Sequence, residues 1–349
     1  MARSPTVSAA TTGEQIALPL DQPPAATLTL SVIVPVHNGG ENFRRCLQSL
    51  QAATPPPVEM IVVADGDSDG SWRVAEEFGA RVIRLPAAGG PAQARNAGAR
   101  AARGEVLAFI DADVTVPPGT LGQLAAAFAH EPSPAAVFGS YDDAPAEKNF
   151  LSQYKNLFHH YVHQAACAEA STFWAGCGAI RRDVFLALGG FDEAYRQPSI
   201  EDIELGYRLR RAGHTIRLVH QIQVKHLKRW TIRSLLRADV LLRAVPWTEL
   251  MQRDGQMLND LNLTWSARVA VVLAGLGLLE LVAAVWWPWL LGLAGASLAA
   301  MWSLQAGLLR FFALKRGVLF AVKAAPWIWF YNLYSGLGFA VGLVRHWTR

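Results

Sequence analysis

Two carboxylates that stand one residue apart, Asp111 and Asp113, follow directly after the apolar run Val106–Ile110. Two acids at the end of a buried strand cost free energy, because both are desolvated and they repel each other. A shared divalent cation offsets this cost, and hard oxygen ligands suit Mg²⁺ or Mn²⁺, whose other positions are commonly filled by phosphate oxygens and water. The pair therefore favours a cation-bound phosphate site, although so short a motif also arises by chance and needs support from its surroundings.

The segments around this pair alternate in their hydrophobic pattern. Apolar runs predict strands at 28–36, 59–65, 80–85 and 106–110, and helical spacing predicts helices at 41–53, 91–102 and from Ser71 onward. Strands that alternate with helices form parallel βαβ units in a doubly wound sheet, and ligands of such sheets bind beyond the carboxyl ends of the strands. The polar runs VHN and DGDSDGS follow two of these ends. No G-x-G-x-x-G or G-x-x-x-x-G-K-[ST] motif follows any of the strands, so dinucleotide and P-loop sites lose their main support.

The C-terminal part of the chain is strongly apolar. Residues 269–309 carry a single charge, at Glu280, and residues 324–344 carry none. A membrane-spanning helix needs roughly 20 apolar residues, so the first stretch predicts two helices that turn near WWPW (286–289) and the second predicts one more. The sequence thus predicts about three transmembrane helices, and a helix buried in a soluble core is the alternative.

Charge and composition suggest how the chain is arranged. Residues 1–27 hold several prolines and few aromatic residues, which predicts a disordered tail. Arg310, Lys315, Arg316 and Lys323 lie between the second and third apolar helices, and the positive-inside rule places that loop in the cytoplasm. We therefore expect a multi-pass protein of the inner (cytoplasmic) membrane with its soluble domain in the cytoplasm. The mild net charge of +4 gives no reason to expect a nucleic-acid partner.

A basic segment joins the two parts. Arg229, Arg233 and Arg237 are spaced four residues apart, which predicts that they share one face of a helix. An amphipathic basic helix is typical of an anionic membrane surface, and a solvated charged face is the alternative. The chain therefore divides into a disordered tail, a soluble domain, interfacial helices and a transmembrane region, at 1–27, 28–230, 231–265 and 266–349.

Four motifs that occur in order, SVIVPVHN, IVVADGDSDGS, ARNAGARAARGEVLAFIDADV and EDIELGYRLRRAGH, resemble those of family-2 glycosyltransferases of the GT-A fold. The resemblance covers residues 28–230. It implies an α/β protein with the GT-A nucleotide-diphospho-sugar transferase fold, a doubly wound mixed sheet, followed here by an all-α membrane region. It also implies an inverting transfer of a sugar from a UDP- or GDP-type nucleotide-diphosphate sugar, with Mg²⁺ or Mn²⁺ as cofactor.

The resemblance assigns residues to the donor. It implies Pro35, Val36 and Asn38 at the nucleoside, Asp65 at the base, Arg95 and Asn96 near the pyrophosphate and sugar, Asp111 at the ribose or donor sugar, and Asp113 on the metal. Ala64 stands where the family more often has a second acid before Asp65, which leaves the choice of base open.

A second group of assignments comes from HLKRW (226–230). Polymer-forming synthases of this family carry Q-x-x-R-W, and His226 replaces the Gln here. In members that make single transfers a histidine near this position often completes the metal site, so the resemblance pairs His226 with Asp113; a surface histidine is the alternative. Arg229 would neutralise the departing diphosphate, and Trp230 is assigned to the acceptor side.

The acid pair Glu201 and Asp202 supplies the expected base. Inversion needs one carboxylate that takes the proton of the acceptor as it attacks the anomeric carbon, and the resemblance gives this role to Asp202, with Glu201 on the acceptor side. The alternative is a helix N-terminal capping box between Ser199 and Asp202. In FWAGCGAIRRDVF, Gly176 and Gly178 are expected to let backbone approach the acceptor. Cys177 between them is expected to be a packed residue rather than a nucleophile.

The sequence as a whole predicts a membrane-bound glycosyltransferase whose acceptor is lipid-associated: a polyprenyl phosphate, a polyprenyl-linked saccharide or a glycolipid. Two alternatives stay open. One is a processive polysaccharide synthase, which the missing Gln at His226 disfavours. The other is a non-catalytic membrane scaffold that binds sugar nucleotides, which the four retained aspartates at 65, 111, 113 and 202 disfavour.

Overall fold

The computed structural model of the chain describes residues 28–129 and 133–348. The predicted disordered tail at 1–27 lies outside these residues. Eight strands form one sheet: β1 (Leu30–Val36), β2 (Glu59–Asp65), β3 (Arg81–Leu85), β4 (Val106–Ile110), β5 (Val114–Thr115), β6 (Ala136–Tyr141), β7 (Cys177–Arg181) and β8 (Ile216–His226). The four strands predicted from the sequence correspond to β1 to β4.

The sheet is mixed, with the order β3-β2-β1-β4-β7-β6-β8-β5. The first four strands of the chain pair in parallel, with Pro35 beside Val63 and Ile33 beside Phe109, so their carboxyl ends meet at one edge. Strand β7 runs antiparallel to β4 and β6. The short β5 pairs with the end of the long β8, which brings Val114 beside His226.

Helices cover both faces of the sheet. The globular part contains α1 (Gly40–Gln51), α2 (Ser71–Glu77), α3 (Pro91–Ala101), α4 (Thr120–Ala127), α5 (Phe150–Ala165), α6 (Arg182–Ala187) and α7 (Glu201–Arg211). Successive residues of a strand point to opposite faces, so Val32 and Val34 pack with α1, α2 and α4 while Ile33 packs with α3, α6 and α7. These two hydrophobic cores confirm the doubly wound sheet.

The rest of the chain is helical. It contains α8 (Ile232–Leu236), a π-helix (Arg237–Ala244), α9 (Val245–Asp254), a 3₁₀ turn (Leu261–Leu263), α10 (Trp265–Ala283), α11 (Leu290–Leu304), α12 (Ala306–Arg316) and α13 (Val318–Trp347). By length and composition α10 and α13 could each cross a membrane, and α11 with α12, bent by 64°, could form a third span. The predicted turn near residues 286–289 falls between α10 and α11.

The basic segment differs from its prediction. Thr231 is the N-cap of α8, and its hydroxyl accepts a hydrogen bond from the main-chain N–H of Ser234. The helix therefore begins at Ile232, and Arg229 lies outside it. The expectation that Arg229, Arg233 and Arg237 share one helix face is wrong, because the capping residue between them starts the helix and a π-helix begins at Arg237.

The globular part packs directly on the C-terminal helices. Tyr154, Leu157 and Phe158 of α5 share a buried cluster with residues of α12 and α13. Arg316 at the end of α12 donates to the side chain of Gln153 and to the main-chain oxygen of Asp143. One helix of the globular part is thus fixed to the candidate membrane region by both apolar and polar contacts.

Candidate active site

A buried arginine ties together two of the predicted acids. One guanidinium nitrogen of Arg95, on α3, donates to Oδ1 of Asp111 at 2.7 Å, and another donates to Oε1 of Glu201 at 2.8 Å. Burial alone would lower the pKa of Arg95, but the charges of Asp111, Glu201 and Asp202 raise it above its usual value. The end of β4 and the start of α7, 90 residues apart in the chain, are thereby joined.

Asp113 and His226 form the second contact of the site. Nε2 of His226 lies 3.5 Å from Oδ2 of Asp113, and the His226 ring stacks on Tyr141 with a centroid distance of 4.2 Å. The pairing of β5 with β8 and the hydrogen bond from Leu227 N–H to the Asp113 main-chain oxygen fix this geometry. Burial would raise the pKa of Asp113, but His226 and Lys228 lower it to about 2, so the carboxylate is ionised at neutral pH.

Asp113 and His226 can supply part of the coordination of a divalent cation. Among the described residues no three His, Cys, Asp or Glu side chains gather closely enough to hold a metal alone. Asp111 is engaged by Arg95, whereas Asp113 and His226 present an oxygen and a nitrogen toward each other. Two protein ligands suit a cation that completes its coordination with phosphate oxygens and water. The residues present therefore fit Mg²⁺ or Mn²⁺ bound together with a diphosphate.

The loops after β1, β2 and β3 form the far end of the same edge. Both oxygens of Asp65 accept hydrogen bonds from main-chain N–H groups, of Gly89 and Gly90, at 2.8 Å each. The side-chain oxygen of Asn38 accepts from the N–H groups of Ser68 and Asp69. These two predicted nucleoside residues thus fix the loops that follow β1, β2 and β3.

The other residues predicted to bind the donor differ in their exposure to solvent. Val36 is 2% exposed and belongs to the hydrophobic core, next to the half-buried Pro35. Asn96 is 3% exposed, and its amide exchanges two hydrogen bonds with the main chain of Phe191. Arg229 is exposed. We use the name sheet-edge cluster for Asp65, Arg95, Asp111, Asp113 and His226.

Asp202 lies at the start of α7. One of its oxygens accepts from the main-chain N–H of Ala175 at 3.1 Å and the other from that of Ile203 at 2.8 Å. Burial and the adjacent Glu201 raise its pKa to about 6, which suits a group that accepts a proton near neutral pH. The hydroxyl of Ser199 donates instead to the main-chain oxygen of Leu242. The alternative of a capping box from Ser199 to Asp202 is therefore wrong.

Asp202 lines a cavity beside α5. A neighbouring cavity reaches His226 and Trp230. The two share lining residues from α5, from the loop before β7 and from the π-helix: Lys155, His159, Trp174 and Arg243. We refer to both together as the α5 cavity. It extends between the predicted base and the predicted metal ligand.

The predicted acceptor-side residues border this cavity in different ways. Trp230 lines it directly. A Cβ on Gly176 would lie 2.4 Å from the ring of Trp174, and one on Gly178 would lie 2.3 Å from the Trp174 main-chain oxygen. Their missing side chains therefore make room for Trp174, which itself forms the cavity wall. Cys177 is fully buried, and burial raises the pKa of its thiol to about 12, as expected for a packed residue.

Sequence reasoning missed Lys155, Trp174 and Arg243. Lys155 and Arg243 are isolated basic residues, the second within the predicted interfacial segment 231–265, and their meeting depends on how α5 packs on the π-helix. Trp174 stood within the quoted segment FWAGCGAIRRDVF, where the glycines that accommodate its ring were the only available signal.

The chain is similar to known glycosyltransferases. Residues 31–189 match the model of Glycosyl transferase family 2. An uncharacterized glycosyltransferase, YibD, of Escherichia coli strain K12 is 39% identical over 97 residues, which are 27% of this chain and 28% of that protein. The pre-mycofactocin glycosyltransferase of Mycobacterium tuberculosis is 30% identical over 214 residues, which are 59% of this chain and 44% of that protein. The chain thus spans between about a quarter and under half the length of these curated relatives.

One solved structure aligns along almost all of the chain. The mannosyltransferase PcManGT from Pyrobaculum calidifontis, in complex with GDP-Man and Mn²⁺, has a TM-score of 0.59, with 92% of this chain and 91% of that one covered. At 19% sequence identity this likeness bears on the fold alone. Together with the family match and the mixed sheet, it leads to one conclusion. Residues 31–189 are similar to a glycosyl transferase family 2 domain, the globular part of the chain has the GT-A fold, and a helical C-terminal region follows it.

Proposed function

We propose that the protein is a membrane-bound, inverting glycosyltransferase that moves a sugar from a nucleotide-diphosphate donor to a lipid-associated acceptor at the cytoplasmic face. The observation that carries this proposal is the position of Asp202. Its carboxylate has a pKa of about 6 and lines a cavity whose other half reaches His226, which lies beside Asp113. A base and a diphosphate site on either side of one cavity are what a single displacement requires.

In the proposed reaction an acceptor O–H attacks the anomeric carbon of the donor sugar. The new carbon–oxygen bond forms as the bond from that carbon to the diphosphate oxygen breaks, and the electron pair of the broken bond leaves with the diphosphate. Asp202 takes the proton of the acceptor. Attack from the face opposite the leaving group inverts the configuration at the anomeric carbon.

The remaining residues of the sheet-edge cluster hold the donor. Asp113 and His226 would ligate Mg²⁺ or Mn²⁺, and this cation supplies charge stabilisation for the diphosphate when bound. Arg95 fixes Asp111 and Glu201 at short distances, so the acids that face the donor and the helix that carries Asp202 are positioned before substrate binds. Such preorganisation reduces the reorganisation needed in the reaction.

The lipid-associated acceptor is inferred from how the cavity is built. Its lining includes α5, which packs on α12 and α13, and the π-helix, which also contacts α13. Large apolar side chains such as Trp286, Trp287 and Leu319 are exposed on the C-terminal region, as expected for a surface that faces lipid. An acceptor held at a membrane could therefore reach Asp202 without leaving the bilayer surface completely.

Release of nucleotide from sugar nucleotides tests this function. The full chain in native membranes would receive UDP- and GDP-sugars, beginning with GDP-mannose and Mn²⁺, the pair bound in the Pyrobaculum structure, together with a total lipid extract. We expect release with at least one donor, dependent on lipid and metal, and its loss in Asp202→Asn and Asp113→Ala.

The exposed Asp183 on α6 provides the matched control, since Asp183→Asn should leave release unchanged. Tight metal-dependent nucleotide binding without release from any donor would favour a scaffold instead. Products that carry many sugars after one encounter with the enzyme would favour a processive synthase. Absence of both release and nucleotide binding would contradict the assignment of the donor site.

A further inference from the structure

Arg243 is a cation of the α5 cavity to which the reaction above gives no role. Its half-buried side chain lines both parts of the cavity. Across residues 28–129 and 133–348 the structure gives it no hydrogen bond or ion pair with another side chain. The neighbouring Lys155 differs, because it pairs with Asp239, whose second oxygen accepts from the hydroxyl of Tyr334 at 2.9 Å. Lys155 is thus neutralised by a direct ion pair, whereas Arg243 has no direct ion pair among the described residues.

Two further polar atoms in the same cavity lack protein partners. Nε1 of Trp230 and Nδ1 of His159 are buried, and neither has a hydrogen-bond partner among the described residues. Trp230 itself is 8% exposed. Burial, together with His163 and Arg243, holds the pKa of His159 well below its usual value, so its ring is neutral at pH 7. Buried donors without partners are costly and rare in folded proteins.

An uncompensated guanidinium beside an unsatisfied indole N–H is the chemistry that binds an oxyanion. A phosphate supplies several acceptor oxygens and a negative charge that can pair directly with Arg243. Arginine binds such groups through two parallel N–H donors, and Trp174 and Tyr141 supply aromatic walls to the part of the cavity that reaches Trp230. A neutral acceptor could accept hydrogen bonds from these donors but would supply no charge to pair with Arg243.

The location distinguishes a lipid from a soluble phosphate compound. Ala244 follows Arg243 directly and packs against α13, where a Cβ on Gly338 would lie 2.7 Å from the Cβ of Ala244. The anion site therefore lies at the junction of the glycosyltransferase domain with a candidate membrane span. Arg243 is also close enough to Asp202 for its charge to oppose the rise in the pKa of that acid. The cavity thus offers a cation, Arg243, for the phosphate of a lipid acceptor and a base, Asp202, for its reacting O–H.

We propose that Arg243, with the indole N–H of Trp230, binds the phosphate of a lipid acceptor and so holds its reacting O–H beside Asp202. This inference rests on the proposed glycosyltransferase function and names the chemical class of its acceptor. Because the acceptor phosphate has its own cation, it does not compete with the donor diphosphate for Asp113 and His226.

Binding of a short prenyl phosphate tests the site. The full chain in nanodiscs of phosphatidylcholine would be titrated with farnesyl phosphate, with farnesol and with inorganic phosphate. We expect farnesyl phosphate to bind more tightly than either of the other two. Arg243→Gln should weaken its binding by about tenfold to a hundredfold, as for loss of a charged hydrogen bond, and Arg243→Lys should have an intermediate effect. Arg45→Gln, at an exposed arginine on α1, is the matched control.

Each other result has a defined meaning. Unchanged binding of farnesyl phosphate to a folded Arg243→Gln would overturn the proposal. So would an equal loss of Mn²⁺-dependent UDP or GDP binding in that variant, because Arg243 would then serve the donor. Inorganic phosphate that binds as tightly as farnesyl phosphate would overturn the lipid part. If the wild-type chain binds no nucleotide but still shows the Arg243 effect, the glycosyltransferase function fails while the phosphate site stands.

Discussion

The sheet-edge cluster and the α5 cavity lie side by side but are completed in opposite ways. In the cluster, Asp65, Arg95 and Asp111 all have protein partners within 2.8 Å. In the cavity, Arg243 has no side-chain hydrogen bond within residues 28–129 and 133–348, and Nε1 of Trp230 and Nδ1 of His159 have no partner there. The cluster is held mainly by its own hydrogen bonds, although Nε of Arg95 is also without a partner, whereas the cavity presents groups that a ligand can satisfy.

This difference indicates how the two substrates would be recognised. A rigid donor site positions the diphosphate and the anomeric carbon before reaction, which lowers the reorganisation required. A cavity with unsatisfied donors gains binding energy only from a molecule that carries matching acceptors. We therefore expect the sheet-edge cluster to govern stability and chemistry, and the α5 cavity to govern the choice of acceptor.

Replacement of the proposed base should have the largest effect. Asp202→Asn keeps the shape of the side chain but cannot accept a proton, so turnover should fall by about 10²–10⁴-fold. Metal-dependent nucleotide binding, measured by calorimetry, should remain. Steady-state rates at saturating donor would show the loss. A variant that retains most of the wild-type rate would contradict the role of Asp202 and place the base elsewhere.

Removal of the arginine in the sheet-edge cluster should come next. Arg95→Gln leaves the buried Glu201 and the half-buried Asp111 without their cation, and the free energy of unfolding should fall by about 3–5 kcal/mol. Arg100→Gln is the comparison, because its pair with Glu193 is exposed and should contribute at most about 1 kcal/mol. Chemical denaturation of both variants measures the difference. Equal losses would mean that the buried network is no more important than a surface ion pair.

The pH dependence of the reaction should follow Asp202. Because its pKa is about 6, kcat/KM should rise about tenfold per pH unit below pH 6 and level off above it, as the ionised base accumulates. Glu201→Gln removes a charge that raises this pKa, so the rise should move to lower pH. Rates of both enzymes between pH 5 and pH 8 test this. A shift to higher pH would reverse the expected sign.

A change in the cavity wall should have the smallest effect. The hydroxyl of Ser152 accepts a hydrogen bond from the main-chain N–H of Trp230 at 2.7 Å. Ser152→Ala should lower the free energy of unfolding by only about 1 kcal/mol, and we expect its main consequence to be a higher KM for the acceptor with an unchanged KM for the donor. A rise in the donor KM alone would place Trp230 on the other side of the reaction.

The sequence predicted the sheet-edge cluster better than the α5 cavity, and the reason is physical. Strands β1, β2 and β4 are largely apolar and are each followed by polar residues, so parallel pairing had to bring Asp65 and Asp111 to one edge. The contact of Asp113 with His226 was predicted from the family resemblance of HLKRW (226–230). These features depend on local pattern and on the fixed geometry of parallel strands.

The cavity depends on packing that no local pattern encodes. Arg243 faces Asp202 because α8 begins after its capping residue Thr231 and then continues as a π-helix, which changes the direction of every later side chain. A regular helix from Arg229 was expected instead. Asn96 shows the same limit, since its amide holds the main chain of Phe191, a residue far away in sequence.

The configuration of the product is the most direct test of the mechanism. Once a donor is found, proton NMR of the first product would give the anomeric configuration of the transferred sugar. A single displacement with Asp202 as base predicts the configuration opposite to that of the donor. Retained configuration would require a second nucleophile and a covalent intermediate, and it would contradict the assignment of Asp202 and of the cavity beside it.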